Sequence, residues 1–372
     1  MMQRKRIVHV TFNMDTGGAE QVIVQLATHT DADSYDVAIL CLENPVGPMG
    51  KALSKNGMRV DALNRQPGFD WRLVWQIRRY RREYRVDVFH CHQYTPFVYG
   101  FLGALGTETR VVFTEHGRFY PDLPKPKRML VNPVFGRLVD HMTSISKATK
   151  HALVNVERFP RSRIQVVYNG IDGAPYDHDT TRSTRLPDEF HTALSGRFVV
   201  GNVARLDPIK NHRLMLNAVK EISALHPDLH LCLVGDGPER EGLEAMAKKL
   251  GIQSHVLFTG TRQDVYLFYE RMDVFILTSF SEGTAMTLLE AMASGLPCIV
   301  TDVGGNPEII EDGNTGFVIP NNDCQALVEK ISLLKQQPKL RKELGRNARR
   351  KFLRHFSVQQ MTHNYENIYR KL

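Results

Sequence analysis

The sequence predicts an α/β protein built from two doubly wound, Rossmann-like parallel-sheet domains. Three observations carry this. Apolar runs of four to seven residues alternate with helical patterns along nearly the whole chain, which is how parallel strands covered on both faces read. At 372 residues the chain is long for a single core. The alternation lapses once, over 173–196, where Asp, Thr, Pro and Gly prevail and apolar periodicity fades, as in a linker.

In order, residues 6–12, 36–42, 59–63, 86–91, 110–114, 141–145 and 164–168 read as strands of the first domain. Residues 197–204, 230–235, 255–259, 273–278, 297–301 and 316–319 read as strands of the second. The boundaries expected are 1–185 and 186–355. In doubly wound sheets ligands bind beyond the carboxyl ends of the strands, so the residues just after each strand carry most weight.

The bulk composition excludes several classes. No run of about 18 apolar residues is present, so no transmembrane helix is expected. Arg4, Lys5 and Arg6 lead into a first strand rather than a signal-peptide core, and a cytoplasmic protein is expected. The five cysteines form no CxxC pair, and four of them sit in apolar, strand-like or helix-edge contexts, as buried free thiols in a reducing cytosol would. Residues 1–185 hold 26 Lys+Arg against 18 Asp+Glu, whereas the remainder holds 22 of each. The whole basic excess therefore lies in the first half, which suggests an anionic partner for that half. No nucleic-acid motif accompanies it, so an anionic membrane surface or lipid phosphate fits better than nucleic acid.

After the first strand, Gly17 and Gly18 open an amphipathic helix without forming G-x-G-x-x-G. They read as a ligand-approach loop or a tight strand-to-helix turn. The helix from Asp70 to Glu83 buries Leu73, Ile77 and Tyr80 and presents arginines, read as a solvated face with membrane contact as the alternative. His90 and His92 share one strand face, but no third metal ligand is near in sequence, so they read as core or cleft histidines. Thr114-Glu115-His116-Gly117 follows a strand directly. Residues 118–128 mix prolines, aromatics and cations, as a surface loop or a helix start near a lipid headgroup layer would. Ser146 is placed to cap a helix.

In the second half, Arg205 and Lys210 stand just beyond a strand, where a departing diphosphate would need cations. Gly235 lies in a Gly-Asp-Gly-Pro turn, and Arg262 follows a further strand. The chain is organised around Ser279–Glu311. There, Glu282 and Gly283 precede a helix expected from Thr284 to Ser294, with Glu290 about two turns inside it. The N–H groups of Thr284, Ala285 and Met286 could hold a phosphate, and Glu290 a ribose diol. Taken alone, Glu282 is also readable as a cap and Glu290 as a solvated helix residue.

The E-G-x-x-x-x-x-x-E spacing followed by A-M-A-S-G-L-P resembles the signature of the retaining GT-B glycosyltransferases, family 4 (group 1 type) in particular. Thr114–Gly117, Val167–Asp172, the stretch around Arg205–Asn211 (Ala204 standing where the family has Gly) and Asp87–His92 are similar to further motifs of that family. The resemblance implies a GT-B fold whose last helix, 356–372, packs back on the first domain. It implies His116 at the reacting face of the donor sugar and Glu282 beside that sugar. Arg205 and Lys210 would hold the diphosphate, Glu290 the ribose, and Arg262 the base region. It further implies transfer from a nucleotide-diphospho-sugar, UDP-linked in preference to GDP-linked, to a glycan or lipid-linked glycan in surface polysaccharide synthesis. No cofactor is expected. Asp31-Ala32-Asp33 lies in a loop away from the strand ends, so no metal is expected either. A nucleotide-sugar epimerase and a non-catalytic nucleotide-sugar binder are the alternatives.

Overall fold

The computed structural model describes residues 4–117, 123–177 and 185–372. The loop residues 118–122 and the linker residues 178–184 singled out in the sequence lie outside them. The chain divides into two compact units, Met1–Ile171 with Val358–Leu372, and Asp172–Ser357.

The strands of the first unit are β1 (Lys5–Thr11), β2 (Tyr35–Cys41), β3 (Arg59–Ala62), β4 (Val88–His92), β5 (Arg110–Glu115), β6 (His141–Ser144) and β7 (Ile164–Val166). Its helices are α1 (Gly18–His29), α2 (Pro48–Lys55), α3 (Trp71–Tyr84), α4 (Tyr94–Ala104), α5 (Pro126–Leu138) and α6 (Lys147–Asn155). The second unit opens with α7 (Asp188–Leu194), and its strands are β8 (Phe198–Val203), β9 (Leu229–Val234), β10 (Val256–Phe258), β11 (Val274–Leu277), β12 (Cys298–Thr301) and β13 (Gly316–Ile319). Between them run α8 (His212–Ser223), α9 (Arg240–Lys249), α10 (Val265–Tyr269), α11 (Met286–Ala293) and α12 (Asn306–Ile309). Then follow α13 (Cys324–Gln336), α14 (Pro338–His355) and α15 (Val358–Lys371), the last grouped with the first unit.

The sheets run β3-β2-β1-β4-β5-β6-β7 and β10-β9-β8-β11-β12-β13, and every strand pair is parallel. Each order reverses beside its first strand, at β1/β4 and at β8/β11, which is where doubly wound sheets open for ligands. Strand periodicity sorts the first sheet into two faces. Val8, Val10, Phe89, Cys91, Val111 and Phe113 face a core shared with α3 and α4. The intervening His9, His90, His92 and Thr114 point to the other side, where Tyr365 and Tyr369 of α15 meet them. In the second unit, β8, β9, β11 and β12 bury Val200, Leu231, Leu233, Ile276 and Ile299 against α8 and α13.

Local chemistry sets the helix starts. The Asp70 carboxylate accepts from the N–H groups of Arg72 and Leu73 at 3.0 and 3.4 Å, and Ser146 Oγ accepts from Thr149 N–H at 3.0 Å. At Gly103, an added Cβ would lie 2.5 Å from Ile77 Cγ2, so α3 and α4 pack closely there. One expectation is corrected. The helix after Glu282 begins at Met286, not Thr284, because Ala285 holds an extended backbone (φ −73°, ψ 117°) as its N-cap. Glu290 consequently lies about one turn inside the helix rather than two.

Candidate functional site

Four loops at the strand ends of the second unit converge on one polar cluster. Thr278 Oγ1, just after β11, donates to the carbonyls of Lys210 and Asn211 at 3.2 and 3.0 Å. Phe280 N–H donates to Ile209 O at 2.8 Å. These bonds lay the loop after β8 along the loop after β11, and Lys210 Nζ meets Glu282 Oε1 at 2.6 Å. Ser279 Oγ donates to the same carboxylate oxygen at 2.6 Å, and the Ser279 carbonyl accepts from Thr301 Oγ1 of β12 at 2.7 Å. The Glu282 side chain is 9% exposed and that of Lys210 24%, so the pair is shielded but reachable.

Glycines hold this geometry by close approach. Gly304 has φ +53°, and a Cβ there would sit 1.7 Å from Glu282 O. Its neighbour Gly305 donates its N–H to that carbonyl at 3.2 Å. Gly235 has φ +141°, and a Cβ there would sit 2.0 Å from Ala204 O, so this turn backs the strand end that carries Arg205. Arg205 is exposed and makes no ion pair among the described residues. Gly283 and Thr284 lead from Glu282 into α11, whose N-cap Ala285 supplies no side-chain acceptor. Leu288 N–H is taken by Ala285 O at 3.1 Å, which leaves the N–H groups of Met286 and Thr287 at the helix start for a ligand.

Glu290 is buried, contrary to a solvated-helix reading. Tyr269 Oη donates to its Oε2 at 2.9 Å, and the Tyr176 hydroxyl bonds it as well. Burial raises its carboxyl pKa, and the two tyrosine bonds oppose that rise. Arg262 has a different carboxylate partner. Its guanidinium makes a two-bond contact with Asp264 at 2.9 and 2.7 Å and lies over the rings of Phe190 and Phe268.

In the first unit, Gly17 is the extended N-cap of α1 and Gly18 its first residue. A Cβ on Gly17 would meet Glu20 Oε2 at 2.4 Å. His116, directly after β5, ends a chain of imidazoles. His9 Nδ1 lies 2.8 Å from His92 Nε2, and His92 Nδ1 lies 2.7 Å from His116 Nε2. The sheet register explains the chain. His9 pairs with His90 and His92 with Thr114, which puts all these side chains on one face. His90 is held by Tyr369 Oη at 2.6 Å and Thr114 Oγ1 at 2.7 Å. Burial lowers the pKa of His9 and of His116 to about 3 and pushes His90 and His92 well below the usual range. Three neutral imidazoles carry three N–H groups, and two are consumed in the chain. The third belongs to His9 Nε2 or His116 Nδ1, both unpartnered. Both of these nitrogens are closed to solvent, although the His116 residue as a whole is half-buried and His9 is sealed.

The sequence showed no third imidazole near His90 and His92; the fold supplies His9 from the neighbouring strand. The three bring ligand atoms within 4.8 Å of one another, the single such group among the described residues. Both nitrogens of His90 already bond hydroxyls, and no carboxylate joins the group to balance a cation. Tyr176, Tyr269, Thr278, Ser279 and Gly304 also escaped the sequence reading as site residues. Only Ser279 and Gly304 lay within the stretch singled out there, and their partners are visible only in three dimensions.

Residues 16–174 match the family described as Glycosyltransferase Family 4, and residues 187–351 match Glycosyl transferases group 1. The chain belongs to the family 4, group 1 glycosyltransferases. This glycosyltransferase is 28% identical over 312 residues to N-acetyl-alpha-D-glucosaminyl L-malate synthase of Bacillus anthracis, covering 82% of the chain and 79% of that relative. It is 24% identical over 376 residues to the Escherichia coli UDP-Gal:alpha-D-GlcNAc-diphosphoundecaprenol alpha-1,3-galactosyltransferase, covering 98% and 96%. Among solved structures, it is similar to Anabaena Alr3699/HepE in complex with UDP, with a TM-score of 0.85 at 21% identity, covering 99% of this chain and 100% of that one. The glycosyltransferase therefore has the GT-B fold.

Proposed function

We propose that this glycosyltransferase is a retaining hexosyltransferase, taking a sugar from a nucleotide-diphospho-sugar to a glycan or lipid-linked glycan acceptor in surface polysaccharide synthesis. A UDP-sugar is the proposed donor. The observation that carries this reading is the Lys210–Glu282 pair beside the uncapped start of α11, with Glu290 one turn inside. A donor needs cations and N–H groups for its diphosphate and acceptors for its sugar and ribose hydroxyls, and these residue types stand together here. The name of the Escherichia coli relative, with its UDP-linked donor and diphosphoundecaprenol-linked acceptor, supports the choice of both substrates.

In the proposed reaction the anomeric C1–O bond to the diphosphate breaks, and a C1–O bond to an acceptor hydroxyl forms on the same face. The hydroxyl proton passes to the departing phosphate oxygen, leaving a glycoside and a nucleoside diphosphate. Arg205, Lys210 and the N–H groups at the start of α11 stabilise the charge that grows on the leaving group. Glu282 orients the sugar, and Glu290 accepts from the ribose.

The test is a thermal-shift panel with UDP, GDP, ADP and CMP and their sugar conjugates, followed by NMR of the product's anomeric centre. Stabilisation by the uridine set and a product with the donor's configuration are expected. An inverted product overturns the retaining assignment. Turnover unchanged in Glu282→Ala overturns the site.

A further inference from the structure

Exposed apolar side chains are unevenly distributed. Of eleven large hydrophobic residues that stand exposed among the described residues, nine fall between Phe69 and Leu138 in the first unit. Both tryptophans of the chain are among them. Trp71 is 64% exposed and Trp75 69%, one turn apart on α3, with Phe69 edge-on against Trp71. On α5, Leu130, Val134 and Leu138 recur every fourth residue and form an outward stripe. The two helices belong to one layer. α4 packs on α3 through Gly103 and Ile77, and on α5 through Phe97 and Phe101 against Phe135. Scattered exposed hydrophobics need no explanation, but a concentration on one layer does.

The same layer is strongly basic. α3 carries five arginines against one glutamate, and α5 three cations and no carboxylate. Arg72, Arg82, Lys127 and Arg137 are exposed beside the apolar residues. A two-fold copy of this chain would bring that set of cations against an identical set, which like-charge repulsion opposes. An anionic bilayer offers the complement. Its phosphates face the cations, and its headgroup boundary is where amphipathic tryptophans settle.

We infer that the outer face of the α3–α4–α5 layer docks on an anionic lipid bilayer, with Trp71 and Trp75 at the headgroup boundary and the stripe of α5 beside them. No helix of the described residues is long and apolar enough to cross a membrane, so the contact is peripheral. Each cation near the surface strengthens attachment about fivefold and loses that effect as salt rises. This goes beyond the proposed reaction and needs neither donor nor acceptor, so it stands or falls separately from it.

The test uses the full chain with sedimentable vesicles of phosphatidylcholine alone and of phosphatidylcholine mixed with phosphatidylglycerol. Binding to the mixed vesicles only, relieved by salt, is expected. Because the only tryptophans lie on this face, intrinsic emission should shift to the blue on binding and be quenched by brominated lipid. The Trp71→Ala/Trp75→Ala double variant should bind at least tenfold more weakly at unchanged Tm, and Leu130→Ser/Val134→Ser should do likewise. Equal binding to neutral vesicles, or binding with unaltered emission, would overturn the inference. So would a dimer in sedimentation velocity that these substitutions dissolve, in a protein that ignores vesicles.

Discussion

Lys210 and Glu282, seventy-two residues apart in the chain, are joined at 2.6 Å because Thr278 and Phe280 bind the backbone of the Lys210 loop. The partners are not equally shielded. The Glu282 side chain is nearly buried, while Lys210 keeps access to water. Lys210→Met strands a carboxylate with only Ser279 to solvate it, and should cost roughly 1–3 kcal/mol. Glu282→Gln leaves a lysine that water can serve, and should cost less than about 1 kcal/mol. Urea unfolding of both variants measures the asymmetry; equal losses would mean the pair is not shielded as described.

Gly304 and Gly313 separate two effects of a glycine. Both have positive φ, but a Cβ at Gly304 meets Glu282 O at 1.7 Å and one at Gly313 meets nothing. Gly313→Ala should therefore cost only the left-handed backbone, about 1 kcal/mol, and leave transfer unchanged. Gly304→Ala must displace the Glu282 loop as well, and should lower kcat/KM at least tenfold. Assay beside thermal unfolding shows whether the two variants part in this way.

Tyr269 holds Glu290 through one hydroxyl bond that a phenylalanine lacks. Tyr269→Phe should destabilise by roughly 1–2 kcal/mol at neutral pH and raise the Glu290 pKa further. A carboxyl whose folded pKa lies above its unfolded value destabilises the fold at high pH, and that cost disappears as pH falls through the folded pKa. The difference between variant and wild type should accordingly be larger near pH 8 than near pH 5. A pH-independent difference would place the hydroxyl's effect elsewhere.

The histidine chain makes an acid-sensitive core. His9 is fully buried with its pKa lowered to about 3, so the unfolded chain binds its proton first as pH falls. The stability that neutral His9 contributes is complete above the unfolded value near 6.5 and is lost progressively toward 3. Between about pH 6.5 and 5 this amounts to roughly 2 kcal/mol for the one residue. Calorimetry should show Tm falling across that interval, with a shallower fall in His9→Gln. Parallel profiles would exclude His9 as a contributor.

Much of the architecture was legible because it depends on local pattern. All thirteen expected strands are present: most are largely buried and read as mainly apolar runs bounded by polar loops, and the partly exposed edge strands β3 and β10 keep enough of that pattern to be placed. The start of α11 was displaced by two residues because Thr284 and Ala285 are compatible with helix or coil, and the contacts of the Glu282 loop decide. Arg262 was marked by its place after a strand, yet its guanidinium is engaged by Asp264, a choice between neighbours that spacing does not reveal.

By itself the sequence determined the alternation of strand and helix, and it singled out the strand ends and the helix that carry Glu282, Lys210, Glu290 and His116. The tertiary structure alone decided who meets whom. His9 joins His92 because parallel pairing brings β1 beside β4, and Tyr269 reaches Glu290 from a separate helix. Gly304 clamps Glu282 from the loop after the next strand, and Trp71, Trp75 and Leu130 come to one exposed layer from helices far apart in the chain. Periodicity reports which side of an element is buried, whereas side-chain bonds reach only a few ångströms and depend on the register and packing that bring distant elements together.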